Sequence, residues 1–431
     1  MILFGNTNKK MILLLDLDGT LTNTAHPYFK KMKDGIEQTD LSKIKVFNGA
    51  KEFIESQKRK GNIPVIVSDS HPKYVKPIAE QIFDIDFVSL TDKPNSEKTE
   101  QFILSKRQLA EQYQNKDNFL LIGDSWLDIE LGRKLNIRTV YTKFYKATEV
   151  EERDGIGQDW KPVKSGPTFF ANNFADLEDI IENPNGKLLA IESIFQGGNS
   201  NEMTKFLYRN YNGNFTAFRC LARQEDGECD RFARADKYYQ IDNPNRDKEF
   251  LTKLSNGVEN YLKRVASFPE YSWDYFTYVS DKKTTTPPNK MKEIFELVNT
   301  SFNKQTLFVW NEDVTGSLRN QPNYQARRNF IASNLNLLPN LDLTNKNIIV
   351  LDDQFTSSAT ANEISHQLRQ SGVKNILFIA LFYLILPIES KNCPNCKQPM
   401  KIKIRRKDGH KFYSCLPKKY GGNGCGHIEN I

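Results

Sequence analysis

Two carboxylates two residues apart close an apolar run in Met11-Ile-Leu-Leu-Leu-Asp16-Leu-Asp18-Gly19-Thr20. If the run is a strand, Asp16 and Asp18 share a face and can meet one ligand at its C-terminal end. That arrangement suits a divalent cation and a phosphoryl group. The plainer reading is an acidic strand-end turn, where Asp-Gly is common. Two later stretches favour the first. Ile63-Pro-Val-Ile-Val-Ser68 ends a second apolar run in a hydroxyl, and Phe119-Leu-Leu-Ile-Gly123-Asp124-Ser125-Trp126-Leu127-Asp128 ends a third in two more acids. Lys93 or Lys98 offers a cation for phosphate. Hard oxygen ligands of this sort suit Mg²⁺, shared among carboxylates, water and substrate phosphate.

A second group lies in Asn347-Ile-Ile-Val-Leu-Asp352-Asp353-Gln-Phe-Thr356-Ser357-Ser358-Ala359-Thr360. An apolar run again ends in paired acids, and a loop of small hydroxylic residues leads into a helical pattern. Successive backbone N–H groups at a helix N-terminus cradle anions, and paired carboxylates fit the two hydroxyls of a ribose. A Ser/Thr-capped helix after an acidic strand end would need no ligand. The third group is Cys393-Pro-Asn-Cys396, Cys415 and Cys425, whose clustering favours a metal over disulfides in a cytosolic chain. Four thiolates suit structural Zn²⁺, and His427 is an alternative to Cys425 as ligand. Cys220 and Cys229 stand apart and read as buried or free thiols.

These groups need elements to hold them. Strand patterns at Met11–Leu15, Ile63–Val67, Phe119–Ile122 and Thr139–Tyr141 alternate with helical patterns at Lys51–Lys58 and Thr99–Tyr113, and Asp176–Glu182 reads as a closing helix. Such alternation predicts a parallel sheet covered on both faces. Asn183-Pro-Asn-Gly186 is a plausible linker. Beyond it, strand patterns at Tyr275–Val279, Thr306–Val309, Ile348–Leu351 and Ile376–Leu381 alternate with helical ones at Lys290–Asn299 and Ala359–Gln370. The expected organisation is therefore α/β for domains at 10–184 and 187–390 (core 270–390), with the cysteine-bearing tail at 391–431, on short β-like segments, as a third. A chain of 431 residues is long enough for two or three cores.

The net charge of +7 is uneven: residues 391–431 carry ten Lys or Arg against Asp408 and Glu429, leaving the rest close to neutral. Basic residues interleaved with Phe412, Tyr413 and Tyr420 could grip phosphates and stack bases of DNA or RNA; charged residues also simply keep a small domain dissolved. The longest apolar run, Ile376 to Ile388, is too short to span a membrane, and the opening residues lack the pattern of a signal peptide. A cytoplasmic location is expected, with no membrane partner.

With their motif elements in this order, residues 10–184 resemble the haloacid dehalogenase-like superfamily. The resemblance implies a Rossmann-like domain with Asp16 as nucleophile, forming an aspartyl-phosphate, and Asp18 as general acid/base. It implies Ser68 as a hydrogen-bond donor to the phosphoryl group and Lys93, rather than Lys98, as the charge-stabilising lysine. Asp124 and Asp128, with Asp16 and Asp18, then form the Mg²⁺ group. The intervals from Asp18 to Ser68 and from Ser68 to Lys93 leave little room for a cap domain, so an open site is expected. The stretch 270–390 resembles phosphoribosyltransferases, most closely the competence-protein-F-like branch, through Asp352 to Thr360, Asp274-Tyr-Phe-Thr-Tyr-Val-Ser280 and Gln325-Ala-Arg327-Arg328-Asn329. It implies that Asp352 and Asp353 bind the ribose of phosphoribosyl pyrophosphate, and that Thr356, Ser357, Ser358, Ala359 and Thr360 hold its 5′-phosphate. Ser358 stands where that family usually has Gly. Cys393 to Lys403 with Gly409 to Cys415 resembles the zinc ribbon at topoisomerase C-termini.

The resulting expectation is a Mg²⁺-dependent phosphatase for a nucleotide or phosphoribosyl compound, fused to a transferase-like domain that binds phosphoribosyl pyrophosphate and to a Zn²⁺-binding ribbon. The alternative is a nucleic-acid processing factor, in which the ribbon holds DNA or RNA, the phosphatase trims a terminal phosphate, and the transferase-like domain is non-catalytic.

Overall fold

The computed structural model describes residues 10–145, 160–211, 213–225, 228–229, 232, 241, 243, 245–268, 272–285, 287–339, 341–404, 411–415, 417 and 424–430. The chain divides into two compact units, Met1–Pro184 and Asn185–Ile431. Among the described residues no helix is long and apolar enough to cross a membrane.

The first unit is built on six parallel strands: β1 (Ile12–Leu15), β2 (Ile63–Val67), β3 (Asp86–Val88), β4 (Phe119–Gly123), β5 (Arg138–Thr142) and β6 (Phe169–Ala171), in the order β3-β2-β1-β4-β5-β6. All four β1 residues are buried, as expected of a central strand with helices on both faces. Strand order reverses between β1 and β4. Such a reversal opens a crevice at the carboxyl ends of the strands, and Asp16, Asp18 and Asp124 follow these two strands. The helix expected over Thr99–Tyr113 is two, Glu97–Ser105 and Arg107–Tyr113, broken at an extended Lys106. Ile103, Leu109 and Tyr113 all belong to one core. A six-residue step from Ile103 to Leu109 does not return to one helical face, and the break restores the phase.

No separate cap domain occupies either interval. The first holds the single turns Pro27–Phe29, Lys30–Lys33 and Leu41–Lys43 before the helix Ala50–Arg59; the second holds the helical stretch Pro72–Phe83 and β3.

In the second unit, β7 (Thr204–Tyr211), β8 (Asn214–Cys220), β9 (Arg223–Glu225), β10 (Glu228–Cys229), β11 (Tyr275–Tyr278), β14 (Asn347–Phe355) and β15 (Asn375–Leu384) form one sheet. β15 lies parallel to β14 on one side and to β8 and β9 on the other, while β14 also pairs with β11. Two short strands, β12 (Phe308–Trp310) and β13 (Leu335–Leu337), pair apart from it. The strand expected from Thr306 thus begins at Phe308. Helix Lys248–Ala266, in a stretch where the sequence reading placed no element, buries Phe250, Leu254, Val258, Tyr261 and Val265 against this sheet's core. Residues from Glu389 onward form a separate antiparallel sheet of β16 (Glu389–Asn392), β17 (Pro399–Ile404), β18 (Lys411–Ser414) and β19 (Ile428–Asn430).

Candidate functional site

β1 and β4 deliver the first site. The Asp16 backbone N–H donates to the Ile122 carbonyl (2.8 Å), which ties the residue after β1 to its neighbour strand. Asp16, Asp124 and Asp128 bring carboxylate oxygens within 4.8 Å of one another. Lys93 Nζ donates to Asp16 Oδ1 (2.6 Å) and to Asp128 Oδ1 (2.7 Å), and its side chain is only 4% exposed. Lys98 instead donates to the Leu90 carbonyl (2.7 Å), so Lys93 is the lysine at the site.

Asp128 serves twice. Its Oδ2 accepts from the Ser125 backbone N–H and hydroxyl, while the Ser125 hydroxyl accepts from the Asp128 N–H, a capping box opening the helix Trp126–Leu135. The same carboxylate's other oxygen anchors Lys93. Behind the lysine, Asp69 Oδ1 accepts from the Thr91 hydroxyl (2.6 Å) and the Lys93 backbone N–H (2.8 Å). Two glycines make room for the acids. A Cβ on Gly19, whose φ is +90°, would lie 2.1 Å from Asp124 Oδ2, and one on Gly123 would lie 2.3 Å from Asp128 Cγ.

Burial raises the Asp16 pKa well above its usual range, and Asp128 adds to the rise while Lys93 opposes it. Burial pushes the Lys93 pKa down, yet Asp128 and Asp16 outweigh it and hold the ammonium charged. The three carboxylates together offer hard oxygen donors of the kind that fits Mg²⁺.

Asp18 was expected among the metal ligands, but its carboxylate lies outside that group. Oδ1 accepts from the Thr24 hydroxyl (2.5 Å) and the Tyr74 hydroxyl (3.0 Å), and Oδ2 from the Ser70 hydroxyl (2.9 Å). Ser68 is buried at the end of β2, and its Oγ accepts from the Ser70 N–H (3.1 Å). Tyr74, Ser70, Thr24 and Asp69 were not found from the sequence. Only Ser70 and Asp69 adjoin a motif residue closely enough to have been suspected.

The second unit holds a cavity of about 940 Å³ at the ends of β11 and β14. Its lining includes Asp352, Asp353, Thr356, Ser357, Ser358, Ala359 and Thr360, together with Asp281, Lys282, Lys290 and Arg327. Asp353 Oδ2 accepts from Lys290 Nζ (2.6 Å), and Arg327 Nη1 donates to the Ser357 hydroxyl (3.3 Å). Burial, then the Asp353 charge, raises the Asp352 pKa well above its usual range. Ser358 has φ +61°, the left-handed region that glycine favours.

The cysteine cluster brings four sulfurs together, with Cys393 Sγ 3.6 Å from Cys425 Sγ and Cys396 Sγ 3.3 Å from Cys415 Sγ. These gaps are far beyond a disulfide bond and near the ~3.8 Å edge of a tetrahedron with ~2.3 Å Zn–S bonds. The Gln398 backbone N–H, then the Cys415 thiol, lowers the Cys396 pKa to about 6, while burial, then Cys396, raises that of Cys415 to about 12, so the two thiols share one proton unevenly. His427 lies outside the group, its Nδ1 3.4 Å from Asn395 Nδ2. Cys220 is buried and unbridged; the Cys229 side chain and Tyr420 lie outside the described residues.

No family model and no curated protein matches this sequence. Among solved structures, a predicted phosphatase from Clostridium acetobutylicum is 19% identical with a TM-score of 0.30, over 40% of this chain and 99% of its own. A predicted phosphoglycolate phosphatase from Haemophilus somnus is 17% identical with a TM-score of 0.30, over 41% of this chain and 100% of its own. A haloacid dehalogenase-like family hydrolase from Streptococcus pneumoniae is 14% identical with a TM-score of 0.29, over 40% and 99%.

Proposed function

We propose that the first unit is a Mg²⁺-dependent phosphohydrolase of the haloacid dehalogenase-like type, acting on a nucleotide or phosphoribosyl compound. The observation that carries this reading is the buried Asp16–Lys93–Asp128 arrangement beside Asp124, at the point where strand order reverses. Mg²⁺ held by Asp16, Asp124 and Asp128 would neutralise the phosphoryl oxygens. Asp16 attacks phosphorus, and Lys93 fixes its carboxylate and offsets charge in the transition state. Asp18 supplies the leaving group's proton and later takes one from water. The hydroxyls of Thr24, Ser70 and Tyr74, all donating to it, hold its carboxylate in place for both steps. Ser68 donates to a phosphoryl oxygen.

The second unit is read as a phosphoribosyltransferase-like domain whose cavity takes a ribose phosphate, supported by the paired acids and the hydroxylic loop on its wall. The four cysteines are read as a Zn²⁺-binding ribbon. The basic charge of residues 391–431 makes DNA or RNA its candidate partner.

The test is phosphate release by the full chain from 5′-mononucleotides, phosphoribosyl compounds and 3′- or 5′-phosphorylated oligonucleotides, with Asp16→Asn as control. Release from mononucleotides or phosphoribosyl compounds, abolished in Asp16→Asn, is expected. Release confined to oligonucleotides would replace the nucleotide reading with end-processing of nucleic acid.

A further inference from the structure

The cavity of the second unit is lined by two carboxamides as well as by acids and hydroxyls: Gln224 on β9 and Gln354 on β14. Gln354 is half-buried and follows the paired acids directly, about 7 Å along the strand from Asp352. Gln224 comes from 130 residues earlier in the chain and is 3% exposed. Its short strand is held from two directions. Arg223 and Gln224 pair with Tyr383 and Leu384 at the end of β15, and the Ile385 N–H donates to the Gln224 carbonyl (3.0 Å). Arg223 also donates its backbone N–H (2.8 Å), Nε (2.8 Å) and Nη2 (2.6 Å) to the carboxylate of Glu192, and both side chains are fully buried. A forked, buried pair of this kind fixes the backbone from which Gln224 projects.

Gln354 Nε2 donates to Gln224 Oε1, so the two amides form a pair. A carboxamide has two donor hydrogens and one acceptor oxygen. The pair therefore keeps the Gln224 Nε2 donor and the Gln354 Oε1 acceptor for something else. Among the described residues neither atom has a hydrogen-bond partner. Neither is sealed inside the protein, in contrast to Ser280 Oγ and Arg327 Nε of the same lining. An unmet polar group on a buried side chain costs free energy that a ligand can recover. Turning both amides over exchanges their roles and still leaves one donor and one acceptor. Size points the same way. About 940 Å³ lies at the upper end of the roughly 300–1,000 Å³ that pockets for drug-sized ligands occupy, so room remains beyond a ribose phosphate. Phe355, Phe378 and Leu384 give that lining apolar surface on which a flat ring can rest.

We propose that Gln224 and Gln354 bind the nucleobase of a nucleotide whose ribose and 5′-phosphate occupy the acids and the 356–360 loop, meeting a base edge that sets a donor beside an acceptor. This assignment rests on the reading of the cavity as a ribose-phosphate site and adds the group carried on the sugar's C1′. Hypoxanthine, guanine and uracil offer N–H beside C=O, while adenine and cytosine offer an amino group beside a ring nitrogen. Because the amide pair works in either sense, it accepts both kinds of edge. It discriminates against a sugar phosphate that carries no base.

The test is calorimetry on the full-length Asp16→Asn chain, which prevents hydrolysis by the first unit, in buffer containing Mg²⁺. Ribose 5-phosphate, AMP and IMP are the ligands, and binding that Asp352→Asn weakens is binding in this cavity. AMP and IMP should each bind at least about tenfold more tightly than ribose 5-phosphate. Gln224→Met and, separately, Gln354→Met keep the length of the side chain and remove the amide. Each should weaken AMP and IMP at least about fivefold and leave the Kd of ribose 5-phosphate within about twofold, which also shows the cavity intact. Nucleotides that bind no more tightly than ribose 5-phosphate, or as tightly to both variants as to the parent, overturn the amide assignment and leave the ribose-phosphate reading standing. Either variant weakening all three ligands alike makes its amide a packing group and overturns the assignment as well. No binding of any ligand, or binding indifferent to Asp352→Asn, overturns both.

Discussion

Tyr74→Phe isolates the support of Asp18 from everything else at the first site. Tyr74 is fully buried in the helix Pro72–Ile78, and its hydroxyl donates to Asp18 Oδ1 at 3.0 Å. Burial, then the Asp18 charge, raises the phenol's pKa, so it remains a donor at any working pH. A hydrogen bond to a charged group contributes about 1.5–3 kcal/mol. If that energy holds Asp18 in line for proton transfer, losing it lowers kcat by about 10- to 100-fold, at roughly tenfold per 1.36 kcal/mol. Thr24 and Ser70 still donate to the carboxylate, so activity should not vanish. The ring remains, which leaves core packing intact, and KM should stay within about twofold because Tyr74 meets no substrate. Steady-state phosphate release with saturating Mg²⁺, alongside thermal melts, separates positioning from packing. A kcat within about twofold of the parent would refute the reasoning, as would a loss of activity that follows lost stability.

The remaining predictions concern charge and backbone. Lys93→Met leaves Asp16 and Asp128 without their shared ammonium. It should cost about 3–5 kcal/mol at neutral pH, with part recovered by Mg²⁺ or by acid, read by urea melts across pH. Asp352 has a raised folded-state pKa, so its ionisation destabilises the fold as pH rises above its ordinary 3.8. Asp352→Asn should then stabilise the chain at neutral pH by about 1 kcal/mol, with the gain gone below that pH, and should weaken ligand binding. Ser358→Gly removes a left-handed serine at φ +61° at the expense of a hydrogen bond accepted from Asn362 Nδ2. The balance should be a stabilisation below about 1 kcal/mol, seen as a raised Tm; a lowered Tm would mean that the Asn362 contact outweighs the backbone strain.

What could be read from the sequence was local. Apolar β1 with Asp16 and β4 with Asp124 announced a parallel sheet and the crevice at its reversal, because strand ends and carboxylates lie together in the chain. Helix Ala359–Gln370 was legible to the residue from its periodicity. Helix Lys248–Ala266 was equally regular and preceded by a capping Asp247, yet no motif drew attention to it. The direction of the Asp18 side chain was not legible. It depends on hydroxyls at 24, 70 and 74, brought together by two loops and the helix Pro72–Ile78. Nor was the Lys290–Asp353 pair, whose partners are 63 residues apart and whose meeting depends on how one helix starts. Long-range polar contacts of this kind leave no periodic trace.

The central claim is that Asp16 is the nucleophile of a phosphohydrolase, and one trapping measurement tests it most directly. The full-length Asp18→Asn chain, in which the water step is slowed, is mixed with Mg²⁺ and para-nitrophenyl phosphate, whose leaving group needs no proton. The mixture is quenched in acid and its peptides are weighed. The account predicts one added phosphoryl group on the peptide containing Asp16, and none when Asp16→Asn is added. Release of para-nitrophenol with Asp16 unmodified, or at an undiminished rate in the Asp16→Asn chain, would contradict it.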